Sequence, residues 1–264
     1  MNTKNTSTFD LLFLGTSACE FGERLKTDLK DRFDKNVRRS SALLVNSSYL
    51  IDCGVHTIES LCISATPTES ISNVFITHFH KDHYNREHIA AIAKSRTEPL
   101  RLWVRSDAEI EDIENVEIIR MTPFEKYDVD GELYITGLPA NHDPNAFPQH
   151  FILERNGKKM FYGCDGGWFL NRSYLFLKNA KLSLAVLDCT TGDYLGDFRM
   201  GEHNSIPMIR LMLPSLKTIK AIDDETKIFL SHLAPSLHKS HEETVLIAKE
   251  IGADVAYDGL RFSI

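Results

Sequence analysis

The chain has 264 residues, 42% of them hydrophobic, which is enough for a sizeable core in one large domain or two small ones. Its formal charge of −7 argues against a broad nucleic-acid face, which needs clustered Lys and Arg, although a local basic patch stays open. No apolar run approaches the length of a membrane span, and the five scattered cysteines form no C-x-x-C pair, a pattern that suits free thiols in the cytoplasm.

The first eight residues are polar and carry no apolar stretch, so a frayed tail without a secretory signal is expected there. Residues 9–14 read as a first strand and Gly15-Thr16-Ser17 as its turn. Residues 20–40 hold many charges and little pattern. They read as a solvated surface loop with at most a short helix, Arg38 and Arg39 included. Residues 42–45 and 49–51 form a hairpin across Asn46-Ser47-Ser48, and Asp52-Cys53-Gly54 follows its second strand. Residues 56–63 read as a helix that Thr66-Pro67 breaks.

The most informative stretch comes next. Residues 74–77 are a short apolar run with β-branched side chains, and Ile89, Ala90, Ile92 and Ala93 recur at helical spacing. Between this strand and this helix lie His78, His80, Asp82 and His83, three imidazoles and a carboxylate within six residues. At the end of an extended segment His78 and His80 point to the same side, and the turn that follows brings Asp82 and His83 to face them. One short loop can thus supply ligands to two metal ions. Imidazole with carboxylate suits zinc, iron or manganese.

Residues 100–104 and 116–121 read as strands, with an acidic helix or loop at 107–115 between them. Residues 133–139 alternate like a strand and end at Ala140-Asn141-His142-Asp143. Residues 150–154 and 158–162 form a hairpin that runs into Gly163-Cys164-Asp165-Gly166-Gly167. A carboxylate held by glycines at a strand end can approach two cations at once, whereas Cys164 reads as a small buried residue. Residues 168–177 look like an amphipathic helix, and 182–187 like a buried strand ending in Asp188-Cys189-Thr190-Thr191. A loop at 192–203 leads to His203-Asn204-Ser205, which opens a helix with Ile206, Ile209, Leu213 and Leu216 on its apolar side. A strand at 227–230 ends in Ser231-His232-Leu233. His238 and His241 read as surface residues beside a helix at 240–251, and a short strand follows Asp258-Gly259.

The Thr77–His83 stretch resembles the metal-binding signature of the metallo-β-lactamase superfamily. That resemblance implies one α/β domain over residues 1–264, a four-layer αββα sandwich with a two-metal site at one edge. It assigns His78, His80 and His142 to one ion and Asp82, His83 and His232 to the other, with Asp165 bridging. It gives Asp52 the role of orienting the metal loop by hydrogen bonding. The implied chemistry is hydrolysis by a hydroxide shared between two divalent cations, zinc or manganese, with iron also suited.

Within the superfamily, Leu14-Gly15-Thr16, His203 and the Asp258-Gly259 segment resemble the branch of phosphoribosyl cyclic phosphate phosphodiesterases. There His203 resembles the catalytic histidine, a general acid for the leaving oxygen; it also resembles that of the tRNA 3′-processing endonucleases, whose acidic residues after this strand imply an orienting role for Asp188. A small phosphodiester or cyclic phosphate is the implied substrate, with no membrane partner and a homodimer left open. The branch carries a cysteine-rich structural zinc site in the first loop, but residues 20–40 contain no cysteine, so that zinc is not expected here. A tRNA 3′-processing nuclease is the first alternative. Such enzymes usually need a long basic arm, and the 22 residues between His142 and Asp165 leave room only for a hairpin. A thioester or lactone hydrolase is a second alternative, and a non-catalytic scaffold that has lost ligands is a third.

Overall fold

A computed structural model describes residues 8–264; the tail expected at residues 1–8 lies outside them except for Thr8, which is buried and donates its N–H to the Ile264 carbonyl. Among the described residues, fourteen strands form two seven-stranded sheets. The first sheet contains β1 (Asp10–Gly15), β2 (Ala42–Val45), β3 (Tyr49–Ile51), β4 (Asn73–Phe75), β5 (Leu100–Arg105) and β6 (Val116–Met121), in that order, with the last strand β14 (Arg261–Ser263) added beside β1. The second runs through β7 (Lys126–Asp128), β8 (Tyr134–Pro139), β9 (Gln149–Arg155), β10 (Lys158–Gly163), β11 (Leu184–Asp188), β12 (Lys227–Ser231) and β13 (Asp254–Val255). In each sheet an antiparallel half passes into a parallel half: β3 to β6 are parallel in one, β10 to β13 in the other.

The β1 sequence shows why the layers stack. Leu11 and Phe13 point into a core between the sheets with Phe75, Phe151, Tyr162 and Phe229. Leu12 and Leu14 point the other way, into a core shared with Leu61, Ile89 and Ile92 of the helices α1 (Thr57–Ile63) and α2 (Arg86–Lys94). A strand apolar on both faces needs cover on both, because successive side chains alternate. The second sheet has its own outer core under α4 (Ile206–Thr218) and α5 (His241–Lys249), with α3 (Asn171–Phe176) beside them. The result is an α/β sandwich in four layers, as expected from the sequence.

Several local expectations change. The strand before the metal loop ends at Phe75, so Ile76 and Thr77 already belong to the turn. Of the two readings for residues 107–115, the loop holds, pinned by buried Ala108 and Ile113. The helix read at 168–177 begins only at Asn171, leaving Trp168 exposed. The three-residue strand β7 has no apolar signal and was not anticipated; it forms because Tyr127 pairs with Ile135 across a hairpin. Arg38 and Arg39 are buried rather than solvated. Arg39 pairs with Glu59 and caps the carbonyls of Leu29 and Arg32, while Arg38 bonds Thr16 Oγ1 and the Ala256 carbonyl, each at 2.6 Å. His241 is likewise buried against Arg38, and His238 Nε2 donates to the Cys189 carbonyl at 2.8 Å, so neither is a free surface group.

Candidate metal centre

The expected donors converge at the strand ends where the two sheets meet. The loop after β4 carries His78, His80, Asp82 and His83. It is clamped at both ends. Cys53 N–H donates to the His83 carbonyl at 2.8 Å, and Gln149 N–H to the Thr77 carbonyl at 2.9 Å. Gly54 sits so close to this loop that a Cβ there would run into the Asp82 carbonyl. Asn85 then caps α2 by accepting from His88 N–H at 3.0 Å. From the second sheet come His142 after β8, Asp165 after β10 and His232 after β12.

Asp165 Oδ2 is the centre of the cluster. It lies 3.5 Å from His78 Nε2, 3.6 Å from His83 Nε2, 3.6 Å from His142 Nε2 and 3.2 Å from His232 Nε2. His80 Nδ1 is 3.2 Å from His78 Nε2 and 3.1 Å from His142 Nε2, which completes one group of three imidazoles. Asp82 Oδ2 is 3.4 Å from His83 Nε2 and 3.9 Å from His232 Nε2, which completes the other. The donors of His78, His80, His142 and Asp165 lie within 4.8 Å of one another, and so do those of Asp82, His83 and His232. The structure therefore brings the seven residues together, and a further group of Asp165, Asp188, His203 and His232 has its donor atoms equally close. Imidazole nitrogens turned toward one another at about 3.2 Å, around a buried carboxylate, suit cations better than any hydrogen-bond pattern among themselves.

The opposite ring nitrogens are held from behind. His83 Nδ1 donates to Asp52 Oδ2 at 2.8 Å, which places Asp52 in the orienting role read from the sequence. His78 Nδ1 meets Thr77 Oγ1 at 3.0 Å, and Thr77 itself donates to Asp52. His80 Nε2 faces Asp143 Oδ2 at 3.4 Å. His232 Nδ1 meets Thr190 Oγ1 at 2.8 Å. Such outer partners fix which nitrogen is free for a metal. Thr77, Asp143 and Thr190 received no role from the sequence. A threonine or aspartate beside such a histidine carries no spacing signal of its own, and only contact distances single it out.

His203, outside both groups of three, stands directly beside them. Its Nδ1 is 2.8 Å from Asp165 Oδ1, without the alignment of a hydrogen bond, and 3.2 Å from Asp188 Oδ2, where it is aligned. Burial alone would discourage a charged imidazole there, but Asp165 and Asp188 outweigh it and lift the His203 pKa to about 11. Asp188 is fully buried; burial pushes its carboxyl up, and His203 and His232 more than offset this and hold it below the usual range. His150, read only as a strand residue, donates Nε2–H to the Asp165 carbonyl at 3.2 Å and packs edge-on to Phe161 and Phe169. It steadies the Asp165 loop from beneath.

A cavity of about 650 Å³ opens over the cluster, bounded by Cys19, Phe79, Lys81, Arg199 and His203. Glu20 spans its rim, accepting from Arg199 at 2.7 Å and from Ser236 N–H at 3.1 Å. The volume lies in the range of small-molecule sites.

Comparison with solved structures settles the fold. The metallo-β-lactamase fold protein YhfI from Bacillus subtilis superposes with a TM-score of 0.73 at 14% identity, over 98% of this chain and all of that one. This is the metallo-β-lactamase fold. A diphosphatase from the PhnP family matches with a TM-score of 0.69 at 17% identity, over 97% of each chain. The short form of human tRNase Z matches with a TM-score of 0.68 at 17% identity, over 97% of this chain and 99% of that one. In sequence, a family described as anti-Pycsar protein Apyc1 matches residues 30–109. Ribonuclease Z of Pseudomonas putida (strain GB-1) is 36% identical over 109 residues, which covers 36% of this chain and 31% of that protein. The matched part is thus about a third of that curated relative. Both sequence matches fall short of half of this metallo-β-lactamase-fold chain.

Proposed function

We propose that this protein is a metal-dependent phosphodiesterase acting on a small phosphodiester or cyclic phosphate. The observation that carries it is the convergence of His78, His80, His142, Asp82, His83 and His232 on Asp165, under a cavity that His203 also lines. In this reading the two groups of three are the ligands of two divalent ions and Asp165 belongs to both; zinc or manganese suits the nitrogen and oxygen donors, and iron also fits. When bound, two such ions supply a strongly acidified water and positive charge for a phosphoryl oxygen.

The chain's own residues supply the rest. Lys81 and Arg199 at the cavity rim attract an anionic substrate, and Arg199 is kept in place by Asp197 and Glu20. His203 is the general acid. Its Nδ1 is turned to the carboxylates, so Nε2 is the nitrogen left to hand a proton to the leaving oxygen. Asp188 holds the ring in that orientation. Five free thiols, three of them buried, fit a reducing cytoplasm, and among the described residues no helix is long and apolar enough to cross a membrane.

A tRNA-processing nuclease is the second reading, favoured by the partial match to ribonuclease Z. The net charge of −7 and the plain β9–β10 hairpin between His142 and Asp165 speak against a long RNA-holding arm. A panel assay separates the readings. Bis-p-nitrophenyl phosphate, cyclic phosphates, a precursor tRNA, thioesters and lactones are compared under zinc, manganese and iron. Fastest turnover of a small phosphodiester supports the proposal. Preferred cleavage of precursor tRNA, or of an acyl substrate, reverses it.

A further inference from the structure

The hydroxyl of Thr190 touches both the metal cluster and the general-acid histidine. Thr190 follows β11, is buried, and places Oγ1 2.8 Å from Asp188 Oδ2, 2.8 Å from His232 Nδ1 and 3.1 Å from His203 Nδ1. A hydroxyl has one proton to give and two lone pairs to receive. Two acceptors are in reach, Asp188 Oδ2 at 2.8 Å and the His232 carbonyl at 3.0 Å; the charged carboxylate is the nearer and the stronger, so the Thr190 proton goes to Asp188. The Thr190 oxygen then receives Nδ1–H of His232 at 2.8 Å, while His203 Nδ1–H is aligned on Asp188 Oδ2; that carboxylate lies 3.2 Å from His232 Nδ1, farther than the hydroxyl, and favours the same tautomer. With its proton on Nδ1, His232 presents the bare Nε2 toward Asp82, His83 and Asp165.

The backbone makes this constraint matter. His232 sits at φ 59°, an uncommon conformation for a non-glycine residue. Its loop is stitched on both sides: Leu233 N–H donates to the Thr16 carbonyl at 2.8 Å, and Ala234 N–H to the Thr190 carbonyl at 3.2 Å. These bonds fix where the ring is, but not which nitrogen holds the proton. In the first sheet Thr77 has the matching place: it donates to Asp52 and meets His78 Nδ1 at 3.0 Å. Each sheet thus ends in a buried carboxylate and a threonine that together face two histidines.

We propose that Thr190 is a positioning residue whose hydroxyl sets the Nδ1–H tautomer of His232 and thereby makes its Nε2 available to the second metal ion. This rests on the two-ion reading above. Outer partners of metal-binding histidines are typically worth 10–100-fold in metal affinity. The test compares wild type, Thr190→Val, which removes the hydroxyl but keeps the shape, and Thr190→Ser, which keeps the hydroxyl. Chelator competition with zinc reads the affinity of each ion in turn, and nitrogen-15 NMR of the metal-free proteins reads the His232 tautomer.

Two ions are expected in wild type, one of them weakened about 10–100-fold in Thr190→Val and restored to within about threefold in Thr190→Ser. His232 should be an Nδ1–H tautomer in wild type and a mixture in Thr190→Val. Wild-type affinity for both ions in Thr190→Val overturns the proposal. So does a Thr190→Ser protein as weak as Thr190→Val, since the methyl group would then be what matters. If Thr190→Val does not fold, Thr190→Ala replaces it under the same comparison. Wild type that binds fewer than two ions overturns the two-ion reading, and this proposal falls with it.

Discussion

The carboxylate of Asp52 accepts a hydrogen bond from His83 Nδ1 at 2.8 Å, and neither side chain is exposed to solvent. Asp52 also receives Thr77 N–H at 2.8 Å and Thr77 Oγ1 at 2.9 Å. Asp52→Ala should therefore weaken metal binding about 10–100-fold. It should also destabilise the fold by about 1–3 kcal/mol for each buried donor left without a partner. Chelator competition and denaturant unfolding measure the two effects separately. Unchanged metal affinity would show that the loop orients His83 without its carboxylate.

In the two-ion reading, His203→Ala should leave the fold and both ions in place, because the ring's Nδ1 is engaged by Asp188 rather than by an ion, although it stands within 4.8 Å of the Asp165 and His232 donors. Proton transfer by a placed side chain is worth about 10²–10⁴-fold, so kcat on a diester with a poor leaving group should fall by that much. A p-nitrophenolate leaving group needs little protonation, and the loss there should be smaller. Equal, modest losses on both substrates would remove His203 from the chemistry.

Gly54→Ala should be costly. The added Cβ meets the backbone of Asp82, which cannot move without shifting the metal loop. Overpacking of this kind costs about 1–3 kcal/mol, and a backbone obstacle places it at the upper end. Gly201→Ala is the control, since its Cβ would meet nothing within 4 Å, and it should stay within about 0.5 kcal/mol of wild type. Equal stability of the two variants by thermal unfolding would contradict the close approach at Gly54.

Asp258 provides a pH signature away from the metal cluster. It is fully buried, accepts from Thr16 Oγ1 at 2.8 Å and from Arg39 N–H at 2.7 Å, and faces the Arg38 guanidinium. Burial raises its pKa to about 6, and the hydrogen bond from Arg39 N–H and the charge of Arg38 offset only part of that rise. A raised carboxyl pKa means that the native state keeps a proton that the unfolded chain releases. Asp258 therefore costs stability progressively as pH rises through 4 to 6, with the full cost above 6. Relative to wild type, Asp258→Asn should gain about 2 kcal/mol between pH 4.5 and pH 7. Parallel stability curves across that range in urea would refute the raised pKa.

Much of the fold was legible because short continuous apolar runs such as those of β1 and β2 read as strands buried on both faces. The convergence of the seven side chains was legible because His-x-His-x-Asp-His is dense, and the later members each follow a strand. What escaped reading was set by distant partners. Arg38 and Arg39 look solvated in a run of charges, yet Thr16, Ala256 and Glu59 are within bonding distance only after folding. His241 and His238 were misread for the same reason. Trp168 fits a helical period, but the chain stays extended to Leu170, the residue that caps α3. Thr190 needed the approach of β12 to β11 before its hydroxyl had anything to hold.

The donors are unevenly spread along the chain. Four come from the short loop after β4, and the remaining three are spaced out to His232, more than 150 residues after His78. During synthesis the first four emerge long before the others. In the two-ion reading an ion captured by that loop alone would lack Asp165, so early loading would be incomplete and reversible. Firm loading waits until β12 has been made and has docked beside β11. In that reading the cell's supply of metal acts on a nearly finished polypeptide.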